Sequence, residues 1–261
     1  MGKVITVACQ KGGTGKTTTT FNLAYALHKM GYKVLTIDFD SQANLTACYG
    51  VNDIEPADIT IATLMLRKMN EEKMPAPWEY IHSVNDMEFV PSSIELSLVD
   101  AKLRLELGAE TMLSELLKGL KAQYDFILID TCPSLGSLTI NALVAADEVI
   151  VPVNAQLLAM MGLQDFMKTV QKIRRRVNPK LQVAGILLTM CDARTVLHRV
   201  IFDQVSEAYA GKINVYETQI PQTVKVGESI YFGKPIAEYC PIATAGIAYG
   251  QLAKEFVAYE S

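Results

Sequence analysis

This 261-residue chain predicts a doubly wound α/β fold with a mainly parallel, twisted sheet flanked by helices. Three observations predict it. Short β-branched or aliphatic runs recur with helix-length stretches between them, the alternation that builds parallel sheets. The runs, such as residues 4–8 and 124–130, are apolar without a period of two, as suits strands covered on both faces. The first run opens directly into a glycine-rich turn, Gln10-Lys11-Gly12-Gly13-Thr14-Gly15-Lys16-Thr17-Thr18, at the head of a helix.

Taken in order, residues 17–30 read as that helix, and 33–38 as a second strand ending in Asp38-Phe39-Asp40. Residues 41–86 are less regular, punctuated by Pro56, Pro75 and Pro77, and read as an insertion with one surface helix at 60–69. A third strand is expected at 87–91, then helical patterning through Leu120, then the continuous apolar strand 124–130 closed by Asp130. Beyond it come a helix near 137–146, a strand at 148–153, a helix near 162–177, a strand at 182–188 and a helix at 194–210. A short strand near 215–220, an irregular segment and a helix at 243–259 close the chain. No linker or repeat interrupts it, so residues 1–261 are expected to form one domain.

Composition narrows the class. Half the residues are apolar and a fifth are charged, as in soluble globular chains. No apolar run reaches membrane-spanning length and no signal peptide precedes the first strand, so a cytoplasmic protein is expected. Five cysteines (9, 48, 132, 191 and 240) lack C-x-x-C pairing and read as reduced thiols. The net charge of −4 is unevenly spread: residues 1–160 carry 12 basic and 19 acidic side chains, residues 161–261 carry 12 and 9. A surface for polyanions would therefore be sought in the second half.

Glycines at 12, 13 and 15 let backbone N–H groups converge on anionic oxygens, and the helix N-terminus adds partial positive charge. Lys11, Gly12, Gly13, Thr14, Gly15, Lys16, Thr17 and Thr18 are thus the expected phosphate-binding set. At this spacing Lys16 reaches the β- and γ-phosphates of ATP and the Thr17 hydroxyl sits on Mg²⁺. A strict P-loop has glycine six residues before that lysine, where Gln10 stands; Lys11 instead precedes the glycine pair. Lys11 is either an exposed loop lysine or one that reaches phosphates held by a second subunit, as arginine fingers do. Asp130 ends its apolar strand and is the candidate Mg²⁺ carboxylate; a turn or capping aspartate is the plainer alternative. Asp38 and Asp40, two apart in extended chain, face one side. Asp38, nearer the metal, joins Thr17 and Asp130 in the metal set; Asp40 orients the attacking water, with Lys11 and Lys16 completing the catalytic set. No histidine stands among these groups, so a slow, switch-like ATPase is expected.

These motifs carry a resemblance. Lys11 to Thr17, Ile37-Asp38-Phe39-Asp40-Ser41-Gln42-Ala43-Asn44 and Phe126-Ile127-Leu128-Ile129-Asp130-Thr131-Cys132-Pro133-Ser134-Leu135-Gly136 are similar to the ParA/MinD family of deviant Walker ATPases. The similarity continues through residues 139–147, 189–195, Ile220-Pro221 and Gly233-Lys234-Pro235-Ile236, and is strongest to the ParA/Soj branch of chromosome- and plasmid-partition ATPases. It implies an ATP-dependent sandwich homodimer with two nucleotides at its interface. Lys11 then contacts the partner's nucleotide, Asp40 serves hydrolysis, Asp130 is the Walker B acid, and Pro221 lies against the adenine. It further implies that the ATP dimer binds DNA non-specifically, associates with the nucleoid, and is released when a ParB-like partner stimulates hydrolysis.

Two departures stand out. The family segment after Ile-Pro commonly reads Arg-Asn-Val-Arg; here it is Gln222-Thr223-Val224-Lys225, which keeps one phosphate contact and loses another. Cys132 replaces a usual proline. Besides Lys225, the DNA-facing candidates are Lys172, Arg174, Arg175 and Arg176, although cations at a helix C-terminus also simply complement its dipole. No aromatic interleaving is evident, so DNA binding would be sequence-independent and steeply salt-dependent. The alternatives are a ParA-like ATPase that positions a protein cargo, a MinD-like membrane-positioning ATPase, and a metabolic or iron–sulfur enzyme on the same scaffold. The acidic tip of residues 254–261 argues against a membrane-binding tail, and the cysteine spacing against a bridged cluster.

Overall fold

The computed structural model describes residues 2–52, 54–55, 57–154, 159–192 and 194–260. Its strands are β1 (Lys3–Val7), β2 (Val34–Phe39), β3 (His82–Val84), β4 (Met87–Val90), β5 (Phe126–Thr131), β6 (Glu148–Asn154) and β7 (Gln182–Thr189). They form one seven-stranded sheet ordered β3-β4-β2-β5-β1-β6-β7, parallel throughout except for the β3–β4 pair. β5 shows why its sequence does not alternate. Phe126 and Leu128 enter a core cluster with α1 (Lys16–Lys29) and α11 (Thr244–Glu260). Ile127 and Ile129 enter a second cluster with α3 (Ile61–Met69), α4 (Leu96–Leu103), α5 (Met112–Leu117) and α6 (Ser137–Ala145). A third joins β6 and β7 to α7 (Ala159–Arg176) and α8 (Val196–Tyr209). Burying each such aliphatic side chain stabilises by roughly 1.5–3 kcal/mol, so neither face of a central strand tolerates a polar residue cheaply.

The segment 41–86 is not an irregular insertion but part of the frame. α2 (Asn44–Cys48) buries Leu45, Thr46 and Cys48. α3 is no surface helix: Ile61, Ala62, Leu64 and Met65 are buried, and Thr60 caps it in a reciprocal pair with Thr63. β3 is an unanticipated edge strand, joined to β4 by Asn85 (φ 50°) and Asp86 (φ 61°). This two-residue hairpin turn was hidden because it lacks the Asn-Gly signature.

The helical pattern through Leu120 breaks into α4 and α5 around a left-handed Gly108. Residues 215–220 form no regular strand; the segment hangs on β7 through isolated bridges at Val215–Ile186 and Pro221–Cys191. The stretch beyond holds two helices, α9 (Val224–Tyr231), capped by Thr223, and α10 (Ile236–Tyr239). The α2 and α9 regions meet at Gly50 and Gly233, both at positive φ, where a Cβ on Gly233 would lie 3.0 Å from the Gly50 Cα. Only glycine suits that approach.

Candidate functional site

β1 lies between β5 and β6, where the crossovers reverse direction, and a crevice opens at its carboxyl end. The glycine-rich turn occupies it. Gly13 (φ 67°) and Gly15 (φ 77°) adopt the left-handed conformation, and α1 starts with no side-chain cap, so its first-turn amides point where an anion binds. The turn is braced from below. Cys9 Sγ lies 2.8 Å from Thr14 Oγ1 and donates to the Lys11 carbonyl at 3.2 Å, while Thr189 Oγ1 donates to the Thr14 carbonyl at 2.8 Å. Lys16 is only 7% exposed, and its Nζ donates to the Lys11 carbonyl at 3.3 Å. Lys11, Gly12 and Gly13 are exposed on the outer side of the turn; Thr17 and Thr18 are half-buried in the first turn of α1.

Register brings the acids together: Asp130 of β5 stands opposite both Val7 of β1 and Asp38 of β2. Asp130 is wholly buried and neither carboxylate oxygen has a hydrogen-bond partner. Burial pushes its carboxyl well above the usual range and Asp38 adds to the push, while Thr17 and Lys16 beside it favour the charge without closing a full hydrogen bond. Asp38 is employed differently. Oδ2 accepts from the Thr46 amide and hydroxyl, each at 2.7 Å, and Oδ1 accepts from the Asp40 amide at 3.2 Å. It thereby ties α2 to the end of β2. Burial raises its pKa to about 6 despite those bonds. Asp40 is buried, and its Oδ1 accepts from the Gln42 amide at 3.1 Å in a turn that holds Ala43 at φ 51°. A non-glycine residue there is strained, as at many functional sites.

These acids predict a pH dependence. Asp38 has a folded pKa near 6 against an ordinary value of 3.8, so the folded state binds more proton between them and stability falls as pH rises through that window. The loss from Asp38 is about 3 kcal/mol, complete above about pH 6, and Asp130 extends it upward. Urea unfolding of the nucleotide-free protein in chelator, from acid to neutral pH, checks it; a slope of opposite sign refutes the assignment. Asp130→Asn should flatten the upper part.

The remaining candidates scatter. Pro221 is half-buried and bridged to Cys191 just past β7, at the same pole as the glycine turn. Lys225, on α9 nearby, is ion-paired with Glu228 at 2.8 Å, and Gln222 is exposed. Lys172, Arg174, Arg175 and Arg176 are exposed on the last turns of α7. Because α7 returns from the end of β6 to the start of parallel β7, that cluster sits at the opposite pole from the glycine turn. Sequence reasoning missed Thr46, Thr189 and Cys9 as bracing groups; each lies in a stretch whose pattern reports only burial. Among the described residues no cluster of three or more His, Cys, Asp or Glu forms. Mg²⁺ needs no such cluster, since one or two carboxylates with phosphate oxygens suffice.

Comparison with known proteins agrees with this geometry. The family profile described as an AAA domain matches residues 2–183. The sporulation initiation inhibitor protein Soj of Bacillus subtilis is 37% identical over 258 residues, 99% of each chain. The cobyrinic acid a,c-diamide synthase structure from Mycobacterium smegmatis, with bound ATP analog and magnesium, superposes with a TM-score of 0.84 at 30% identity, covering 100% of this chain and 96% of that one. The cell division ATPase MinD of Pyrococcus furiosus superposes with a TM-score of 0.77 at 27% identity over 99% of both chains.

Proposed function

The chain belongs to the ParA/Soj family of partitioning ATPases, and from that membership we propose an ATP-switched segregation ATPase, acting over residues 1–261 as one domain. The observation that carries the chemistry is the Asp130 carboxylate, buried without a hydrogen-bond partner beside Thr17 and Lys16. A buried unpaired carboxylate is costly, and a cation is the group that relieves it. Asp130 and Thr17 would hold Mg²⁺, with Asp38 behind them, and bound there the ion neutralises charge on the phosphate oxygens. Backbone amides of residues 12–18 and the Lys16 ammonium grip the phosphates, and Pro221 borders the base. Asp40, held by the Gln42 amide, orients the attacking water. Hydrolysis is slow, because no strong base stands at the site. The exposed Lys11 reaches across to the nucleotide of a second copy, so ATP closes a homodimer.

Closure aligns basic surfaces of two subunits for non-specific DNA, with Lys225, Lys172, Arg174, Arg175 and Arg176 as the candidate contacts. A ParB-like partner speeds hydrolysis and release, and the protein works in the cytoplasm on the nucleoid. No helix among the described residues is long and apolar enough to cross a membrane. A second reading, positioning of a protein cargo, is favoured by the Lys225–Glu228 ion pair and the neutral Gln222, which leave little free positive charge at the nucleotide pole. DNA retention measured with ATP, ADP and no nucleotide separates the two. Retention with ATP alone, lost steeply with salt, is expected for the DNA switch. Equal retention in all three states, or none, sinks it and leaves the cargo reading.

A further inference from the structure

The α7 basic cluster is not one surface but two. Lys172 and Arg176 turn away to the open face of the helix and Arg175 stands at the rim, whereas Lys168 and Arg174 line a groove of about 830 Å³ at the edge of the sheet. The groove is walled by α7, the first residues of β7 and the turn after α8, with Tyr259 of α11 at its mouth. Lys212, presented by the turn at left-handed Gly211, supplies a third cation from the opposite wall. Among the described residues no carboxylate lines it. Lys168 is offset by an exposed pair with Asp165, but Arg174 and Lys212 have no ion-pair partner among the described residues. The floor is apolar, from Met167, Val170, Leu181 and Ile213, and amide side chains of Gln164 and Gln171 stand between the charges.

We propose that this groove is a docking site for an acidic, partly apolar peptide segment of another protein. Arg174 and Lys212, set on two walls without an acid partner among the described residues, select an anionic occupant. The apolar floor and concavity select side chains over a sugar–phosphate backbone: a duplex is convex and presents evenly spaced phosphates, which suit the outward-facing Lys172 and Arg176 instead. The size is that of a ligand site rather than a packing defect. Because the groove lies at the pole opposite the glycine turn, its occupant leaves the nucleotide crevice open.

The test uses the full chain and a fluorescein-labelled Glu-Leu-Glu-Leu-Glu-Leu peptide, with its Lys-Leu counterpart and a mixed-sequence DNA duplex as competitors, read by anisotropy at physiological salt. The double variant Arg174→Glu with Lys212→Glu should weaken acidic-peptide binding at least about tenfold. Lys102→Glu with Lys118→Glu, exposed on α4 and at the end of α5 on the β2–β5 side of the sheet, changes net charge equally and should weaken it by no more than about twofold, because exposed charges beyond a Debye length are screened. Thermal unfolding of both variants shows that they fold. Absence of acidic-peptide binding at about 1 mM overturns the proposal. So do equal binding of the Lys-Leu peptide, equal weakening by both variants, or displacement of the peptide by the duplex.

Discussion

Lys16→Ala should reduce ATP affinity at least about 100-fold, close to 3 kcal/mol, measured by titration with a fluorescent ATP analogue in Mg²⁺. The lysine leads α1, is nearly buried, and already bends back under the glycine turn to the Lys11 carbonyl. Its ammonium is therefore partly desolvated and held in place before any phosphate arrives, which is why its removal costs more than a surface charge would. Alanine keeps the helix, so an unchanged circular dichroism spectrum separates lost binding from lost fold. Affinity within about tenfold of the parent would mean that the crevice is no phosphate site.

Lys11→Ala should behave in the opposite manner, retaining ATP affinity within about threefold while hydrolysis falls by about 10³, the size of an arginine-finger deletion. The reason is position: the side chain leaves the exposed outer side of the turn, whereas the amides that hold phosphate face inward. Asp40→Ala should also silence hydrolysis, but within its own subunit. Mixing the two silent variants is then decisive. In a mixed dimer, the site of the Lys11→Ala subunit keeps its own Asp40 and receives Lys11 from its partner. Random pairing makes half the dimers mixed with one competent site of two, so about a quarter of the parent rate should return. A mixture that stays silent places Lys11 in its own subunit's site.

The sheet, the glycine turn and the three acids were legible because each is written locally. Strands β1, β2 and β5 are unbroken apolar runs, and Asp38 and Asp130 mark their ends in a register that the topology then aligns. The frame around them was not legible. α3 reads as a surface helix because prolines flank it in a stretch that reads as an insertion, although its apolar side is buried by tertiary contact. The hairpin at Asn85-Asp86 used an unusual turn pair, and the 215–220 segment has strand composition but only the edge of β7 to pair with. The division of labour between the two strand-end acids also escaped reading. Spacing alone cannot tell an aspartate satisfied by Thr46 from one without a partner; only the fold around them does.

The buried carboxylate of Asp130 has one more consequence, and it concerns turnover. A fold that buries a carboxyl group without a partner is weakest when its crevice is free and gains strength with occupancy, by about 2.7 kcal/mol at ligand a hundred times above its dissociation constant. That corresponds to a roughly hundredfold smaller unfolded fraction, the fraction that cellular proteases sample. Nucleotide in the crevice would then double as protection, lengthening the chain's survival against protease in proportion to occupancy.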